Sequence, residues 1–96
     1  MTDGVLEEAR QVINAEAQAV LGLLAELDQR FAAATELLLR CTGRVVVTGV
    51  GKSGLVGQKV SATLASTGTP SLFIHSAEAL HGDLGRIVKN DVVLAL

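Results

Sequence analysis

Three consecutive valines, Val45-Val46-Val47, lead through Thr48 into Gly49-Val50-Gly51-Lys52-Ser53-Gly54. A run of β-branched residues reads as a buried parallel strand. The glycines at 49, 51 and 54 permit a tight turn and let a ligand come close to the backbone. A helical pattern begins at once after Lys52. Where a strand passes through glycines into a helix N-terminus, unpaired N–H groups and the helix dipole point at one spot and favour an anion. Lys52 and Ser53 add a cation and a hydroxyl there. The segment is read as a phosphate-facing loop, and the chain around it as an α/β fold.

The remaining pattern fits that frame. Asp3 is the expected N-cap of a first helix, with Glu7 and Glu8 in its favourable first turn. Val5, Leu6, Ala9, Val12, Ile13, Val20, Leu23, Leu24, Leu27, Phe31 and Leu38 follow a helical period. This predicts two helices, or one kinked at Gly22, ending at Cys41-Thr42-Gly43 with Gly43 as the C′ residue. Such an apolar stripe is long for a small domain, and either the sheet or a second subunit is expected to cover it. Arg44–Thr48 is the first predicted strand. A helix over Lys52–Ser66, with Leu55, Val56, Val60, Leu64 and Ala65 inward, stops at Thr67-Gly68-Thr69-Pro70. Ser71–His75 is the second strand, and Ser76 caps a short helix that ends at Gly82-Asp83-Leu84-Gly85. Lys89-Asn90-Asp91 turns into a third, buried strand, Val92–Leu96. The order is a helical lead-in, 1–43, followed by β-α-β-α-β over 44–96. It predicts a parallel sheet with right-handed crossovers. Three strands are half of a doubly wound sheet, so the chain is expected to be the N-terminal part of a longer protein, cut after the third strand.

Charge and composition narrow the function. Residues 1–43 carry seven acids and three bases, and residues 44–96 carry three acids and five bases. The positive excess lies in the half that holds the glycine loop, which suits a small anionic ligand. It is too scattered for nucleic acid, and no stacking aromatics accompany it. The mean hydropathy is +0.45, yet no apolar run approaches the length of a membrane span. No signal peptide is expected before the first helix, and one cysteine, Cys41, excludes an internal disulfide and fits the cytoplasm. Cys41 itself reads as a small buried hydrophobe at a helix end.

Gly49-x-Gly51-x-x-Gly54 formally matches the dinucleotide fingerprint, but that fingerprint also wants an acid about 20 positions on, at the end of the second strand. His75 and Ser76 stand there instead. The Walker pattern needs a glycine five residues before Gly51, where Val46 stands. Both nucleotide readings lose ground.

Three segments carry a more specific signal. Gly49-Val50-Gly51-Lys52-Ser53-Gly54, then Ala65-Ser66-Thr67-Gly68-Thr69-Pro70-Ser71, then His75-Ser76-Ala77-Glu78-Ala79-Leu80-His81-Gly82-Asp83-Leu84-Gly85 closely resemble the sugar isomerase (SIS) domain of bacterial arabinose 5-phosphate isomerases. The resemblance implies a Rossmann-like three-layer sandwich around a parallel sheet. It implies interconversion of D-ribulose 5-phosphate and D-arabinose 5-phosphate for Kdo synthesis, with no cofactor, in a homo-oligomer. The chemistry is an aldose–ketose isomerisation through an enediol. It needs a base to move a proton between C1 and C2, a group to help open the sugar ring, and an electrophile for the developing oxyanion.

Carried over by residue, the resemblance makes Lys52 a catalytic lysine that polarises the carbonyl or steadies the enediolate. The plainer reading is a solvated lysine at a helix start. Gly51 and Ser53 are expected to touch the phosphate or sugar, though Ser53 also suits a helix cap. Gly68 and Thr69 match a substrate-contacting turn and also explain the helix stop. His75 and His81 are implied to face the sugar phosphate, His81 as a catalytic residue and His75 also as a ligand of inhibitory zinc. Two histidines without a third ligand make a poor zinc site on their own. Glu78 is a candidate general base, with helix solvation as its plainer role, and Asp83 is expected to brace the loop. The family's serine-rich phosphate loop, further acids, a histidine and a paired CBS module all follow the third strand. A chain without them is expected to be inactive alone. Two other classes stay open: a non-catalytic sugar-phosphate-binding SIS module and a dinucleotide-binding half-domain.

Overall fold

The structure is a computed structural model that describes residues 2–96. It falls into two compact units, one reaching Ala33 and the other spanning Ala34–Leu96.

The first unit is helical. Helix α1 covers Thr2–Gly22 and is followed by a 3₁₀ turn over Leu23–Glu26. Asp3 lies inside the first turn of α1 rather than capping it. There its charge still complements the helix dipole. Gly22 is the last residue of α1 and keeps a right-handed helical backbone as the α-helix gives way there to the 3₁₀ turn. The chain leaves helical conformation at Leu27, which turns extended (φ −74°, ψ 120°). Helix α2, Gln29–Leu39, then starts on Asp28, whose Oδ1 accepts the Arg30 amide at 2.8 Å. The Arg30 guanidinium, then its amide, hold the Asp28 carboxyl below the usual aspartate range. Every residue of α1 is exposed, including Val5, Leu6, Val12, Ile13 and Val20 of the apolar stripe.

The second unit is a three-stranded parallel sheet in the order β2-β1-β3. Strand β1 is Val45–Gly49, β2 is Ser71–His75 and β3 is Val92–Ala95. Because β1 is hydrogen-bonded on both sides, its valines form the core. Val45, Val46 and Val47 are fully buried, with Ile74 of β2 beside them. Strand β3 pairs with β1 alone among the described residues and alternates between half-buried and exposed residues. Helix α3, Gly51–Ser66, covers one face. The short helix α4, Ser76–Ala79, and a 3₁₀ turn over Asp83–Arg86 lie toward the other.

The face that α3 turns to the sheet is not the one its large apolar residues predict. Leu55, Val56 and Ala65 are exposed and Val60 and Leu64 half-buried, while Gly54, Gly57 and Ser61 are buried. Those three recur at i, i+3 and i+7 and share one helix face. A Cβ on Gly57 would stand 3.1 Å from both the Phe73 ring and Val47 Cγ1. The helix lies that close to the strands because nothing larger intervenes. Ser61 fits the same gap by pairing its hydroxyl with Ser71 Oγ at 2.7 Å, and Ser71 reaches the Val45 carbonyl at 2.7 Å. Buried hydroxyls are thus satisfied.

Gly43 does not serve as a left-handed C′ residue, since α2 has already ended at Leu39. Its amide instead donates to the Asn90 carbonyl at 3.1 Å. Next to it, the Asp91 side chain is only 1% exposed. Its carboxylate accepts the Val88 and Arg44 amides, both at 2.9 Å, and the Arg44 guanidinium at 3.3 Å. These bonds, that of Val88 first, hold its pKa below the usual value. They tie the turn before β3 to the start of β1. Cys41 is a half-buried free thiol whose Sγ lies 3.5 Å from the Asn90 carbonyl oxygen.

Candidate functional site

Ligands of open parallel sheets bind beyond the carboxyl ends of the strands, and the loop read as phosphate-facing lies there. Strand β1 ends at Gly49. Val50 is extended (φ −127°, ψ 158°) and offers no side-chain cap to α3. Gly51 opens the helix at φ 58°, a backbone state that disfavours a side chain. The Gly54 amide makes the first helical bond, to the Val50 carbonyl at 3.1 Å. The amides before it are donors that a helix cannot satisfy by itself. Lys52 and Ser53 stand exposed in this first turn, and Lys52 forms no ion pair among the described residues.

The strand register brings His75 alongside, because Gly49 of β1 pairs with His75 of β2. His75 shares a sheet face with Val47 and Phe73, the face covered by α3. Its ring meets that of Phe73 edge-on, with centroids 6.4 Å apart and planes at 79°. His75, not Ser76, caps α4: its Nδ1 accepts the Ala77 amide at 3.3 Å. The Ser76 hydroxyl goes to the other face, 3.1 Å from Thr48 Oγ1. His81 follows α4, exposed, with its amide on the Glu78 carbonyl at 2.9 Å, and Gly82 then turns left-handed at φ 110°. Glu78 is exposed in α4. Asp83 opens the 3₁₀ turn with a carboxylate oxygen 4.0 Å from the Arg86 guanidinium.

Gly51, Lys52, Ser53 and His75 therefore gather at the carboxyl edge, with His81 on the loop that leaves it. Gly68 and Thr69 do not join them. They close the other end of the 16-residue α3, about 24 Å away along a helix that rises 1.5 Å per residue. There Gly68 is left-handed at φ 100° and the Thr69 amide caps the Leu64 carbonyl at 2.8 Å.

The residues at His75 do not fit a zinc site. Among the described residues no three histidine, cysteine or carboxylate groups gather, and Nδ1 of His75 already accepts the Ala77 amide. A cavity of about 220 Å³ opens on the sheet face away from α3, walled by Val46, Ile74, Leu84 and Val93 with the Thr48 and Ser76 hydroxyls among them. The sequence reading does not foresee this hydroxyl pair. Its only signal is a hydroxyl residue near the carboxyl end of each of two adjacent strands, Thr48 within β1 and Ser76 just past β2.

A parallel β-α-β unit whose central strand runs into an uncapped helix N-terminus places the chain in the class of open-sheet α/β domains. Within that class the chain belongs to the SIS domain family, whose pattern matches residues 38–96. It is 59% identical over 91 residues to arabinose 5-phosphate isomerase KdsD of Pseudomonas aeruginosa, covering 95% of this chain and 28% of that protein. It is 50% identical over 94 residues to arabinose 5-phosphate isomerase GutQ of Escherichia coli K12, covering 98% of this chain and 29% of that protein. A solved Escherichia coli CFT073 protein in complex with arabinose 5-phosphate superposes with a TM-score of 0.92 at 41% identity, over 99% of this chain and 50% of that one. The chain thus spans well under a third of the curated relatives and half of the solved one.

Proposed function

We propose that this chain supplies the phosphate-facing half of an arabinose 5-phosphate isomerase site, in a protein that interconverts D-ribulose 5-phosphate and D-arabinose 5-phosphate on the way to Kdo. The observation that carries the reading is the uncapped start of α3, with Lys52 in its first turn and His75 beside Gly49 in the register. The relatives named above, and the arabinose 5-phosphate bound to the solved Escherichia coli protein, supply the substrate class.

In this reading the amides at Gly51 and Ser53 and the Ser53 hydroxyl hold an anionic oxygen of the sugar phosphate. The Lys52 ammonium faces the oxygen on which charge develops as the C2 proton leaves and an enediolate forms. Proton transfer between C2 and C1 falls to groups on α4 and the residues after it, where Glu78, His81 and Asp83 are titratable and Asp83 is turned toward Arg86. Gly68 and Thr69 act by ending α3.

The protein is further proposed to be cytoplasmic, in keeping with the free Cys41. Among the described residues no helix is long and apolar enough to cross a membrane. It is also proposed to be a homo-oligomer in which the exposed α1 stripe meets another subunit, since contiguous apolar surface of this extent is seldom left to water.

Titrating the chain with D-arabinose 5-phosphate tests the site. Binding is expected near millimolar, about −4 kcal/mol, and Lys52→Met is expected to weaken it about tenfold, the loss of one charge-assisted contact. Equal binding by both proteins, or none by either at tens of millimolar (about −2 kcal/mol or weaker), would refute the assignment.

A further inference from the structure

We infer that the Thr48 hydroxyl, acting through Ser76, fixes His75 as its Nε2–H tautomer, so that His75 presents a hydrogen-bond donor at the carboxyl edge of the sheet.

The chemistry starts at Nδ1. A backbone amide only donates, so the Ala77 N–H at 3.3 Å requires a lone pair on Nδ1. In a neutral imidazole the proton then sits on Nε2. That arrangement lasts only while the first turn of α4 stays in place beneath the ring. A four-residue helix cannot hold itself, because a single turn is all nucleation cost and little propagation. Packing adds little, since Ala77 and Glu78 are exposed and half-buried Ala79 faces an open cavity.

The polar tie is the contact between Ser76 Oγ and Thr48 Oγ1 at 3.1 Å. Ser76 lies between the two partners of the His75–Ala77 bond, so a restraint on Ser76 restrains both. Thr48 is a firm anchor. It sits in the central strand, in register with Ile74 on one side and Ala95 on the other, and its carbonyl accepts the Leu96 amide at 2.9 Å. Phe73 adds an edge-on wall that limits ring rotation. Thr48 is thus a positioning residue that never meets the ligand: it lies on the opposite sheet face from His75.

Toward the sugar phosphate proposed above, a neutral His75 so fixed donates to an oxygen and cannot take the carbon-bound proton. That use rests on the functional reading, whereas the tautomer does not. A tautomer measurement therefore succeeds or fails independently of sugar-phosphate binding.

The test is a long-range ¹H–¹⁵N correlation of the imidazole rings at alkaline pH, with amide exchange measured at Ala77 and Val47. In the unsubstituted chain His75 is expected in the Nε2–H form alone. His81, whose ring has no hydrogen-bond partner among the described residues, is expected to average between forms. In Thr48→Val the His75 signals should move toward the averaged pattern. Ala77 exchange should rise roughly tenfold relative to Val47, the scale of one lost hydrogen bond. Thr48→Ser should restore both readings. Ser76→Ala should reproduce the Thr48→Val result and carries the test alone if the valine variant does not fold. A His75 that stays fixed in both variants with unchanged Ala77 exchange would overturn the inference, as would an averaged His75 in the unsubstituted chain.

Discussion

Gly57 offers the sharpest test of how this fold is held. A methyl group there enters the interface between α3 and the sheet, with the Phe73 ring and Val47 Cγ1 each 3.1 Å from the new carbon. Alanine gains up to about 1 kcal/mol of helix propensity over glycine. Overpacking a tight interface costs about 1–3 kcal/mol. Val47 is fully buried in the central strand and cannot retreat, whereas half-buried Phe73 can swing outward. For Gly57→Ala the two effects nearly cancel, leaving a loss of about 0–1 kcal/mol. Gly57→Val adds two more carbons and gives up most of the propensity gain, so a loss of about 2–3 kcal/mol is expected. Shortening the yielding ring should relieve the crowding. The pair Gly57→Ala with Phe73→Leu should therefore be less destabilised than the sum of its singles by about 0.5–1 kcal/mol. The chain has no Trp or Tyr, so urea unfolding is best followed by far-UV circular dichroism. A Gly57→Val protein as stable as the parent would refute the close-packing argument. So would strict additivity of the pair.

Three further outcomes follow from particular contacts. The Asp91 carboxyl has a lowered pKa in the folded chain, so its contribution is present above the unfolded value of about 3.9 and is lost as pH falls through the folded value; the stability of Asp91→Asn should vary less with pH in that window than the parent's. Leu6→Glu with Ile13→Glu, one helical face of α1, should shift the chain toward monomer in sedimentation at micromolar concentration while leaving the sheet's dichroism intact, and an unchanged mass would remove α1 from the interface. Lys52→Met should unfold within about 1 kcal/mol of the parent, as exposed helix-start positions do, and a larger loss would assign Lys52 a structural role.

The strands are legible in the sequence because their signals are local. Val45-Val46-Val47 reads as a buried parallel strand, and Ser71–His75 has the ends that its pattern predicts. The glycine turn into α3 is equally plain, since Gly51 needs a backbone state that disfavours side chains. The inward face of α3 is not legible, because size and apolarity point to Leu55 and Val56. Here the helix comes so near the sheet that only glycine and serine fit, and both large residues are turned out. Ser76 is the expected cap of α4 because serine usually caps. A histidine with Nδ1 in reach does the same work, and Ser76 is drawn across to Thr48, a partner 28 residues away that no local pattern reveals. Family likeness groups Gly68 and Thr69 with Lys52, although the length of α3 separates them.

The position of β1 also sets the order in which the chain can assemble. Its partner on one side, Ser71, lies 26 residues along the sequence, with α3 in between to bring the two strands together. Its partner on the other side comes a further stretch later, across a turn anchored by the 47-residue Arg44–Asp91 contact. The added loop entropy is small, about 0.5 kcal/mol, so what separates the two events is the helix that supports only the first of them. In folding, β1, α3 and β2 can close as a unit without β3, because α3 packs on both of those strands. Strand β3 then joins a finished edge. Helix α3 packs on β1 and β2, so hydrogen exchange is expected to reach the amides of β3 first and those of the β1–β2 ladder last.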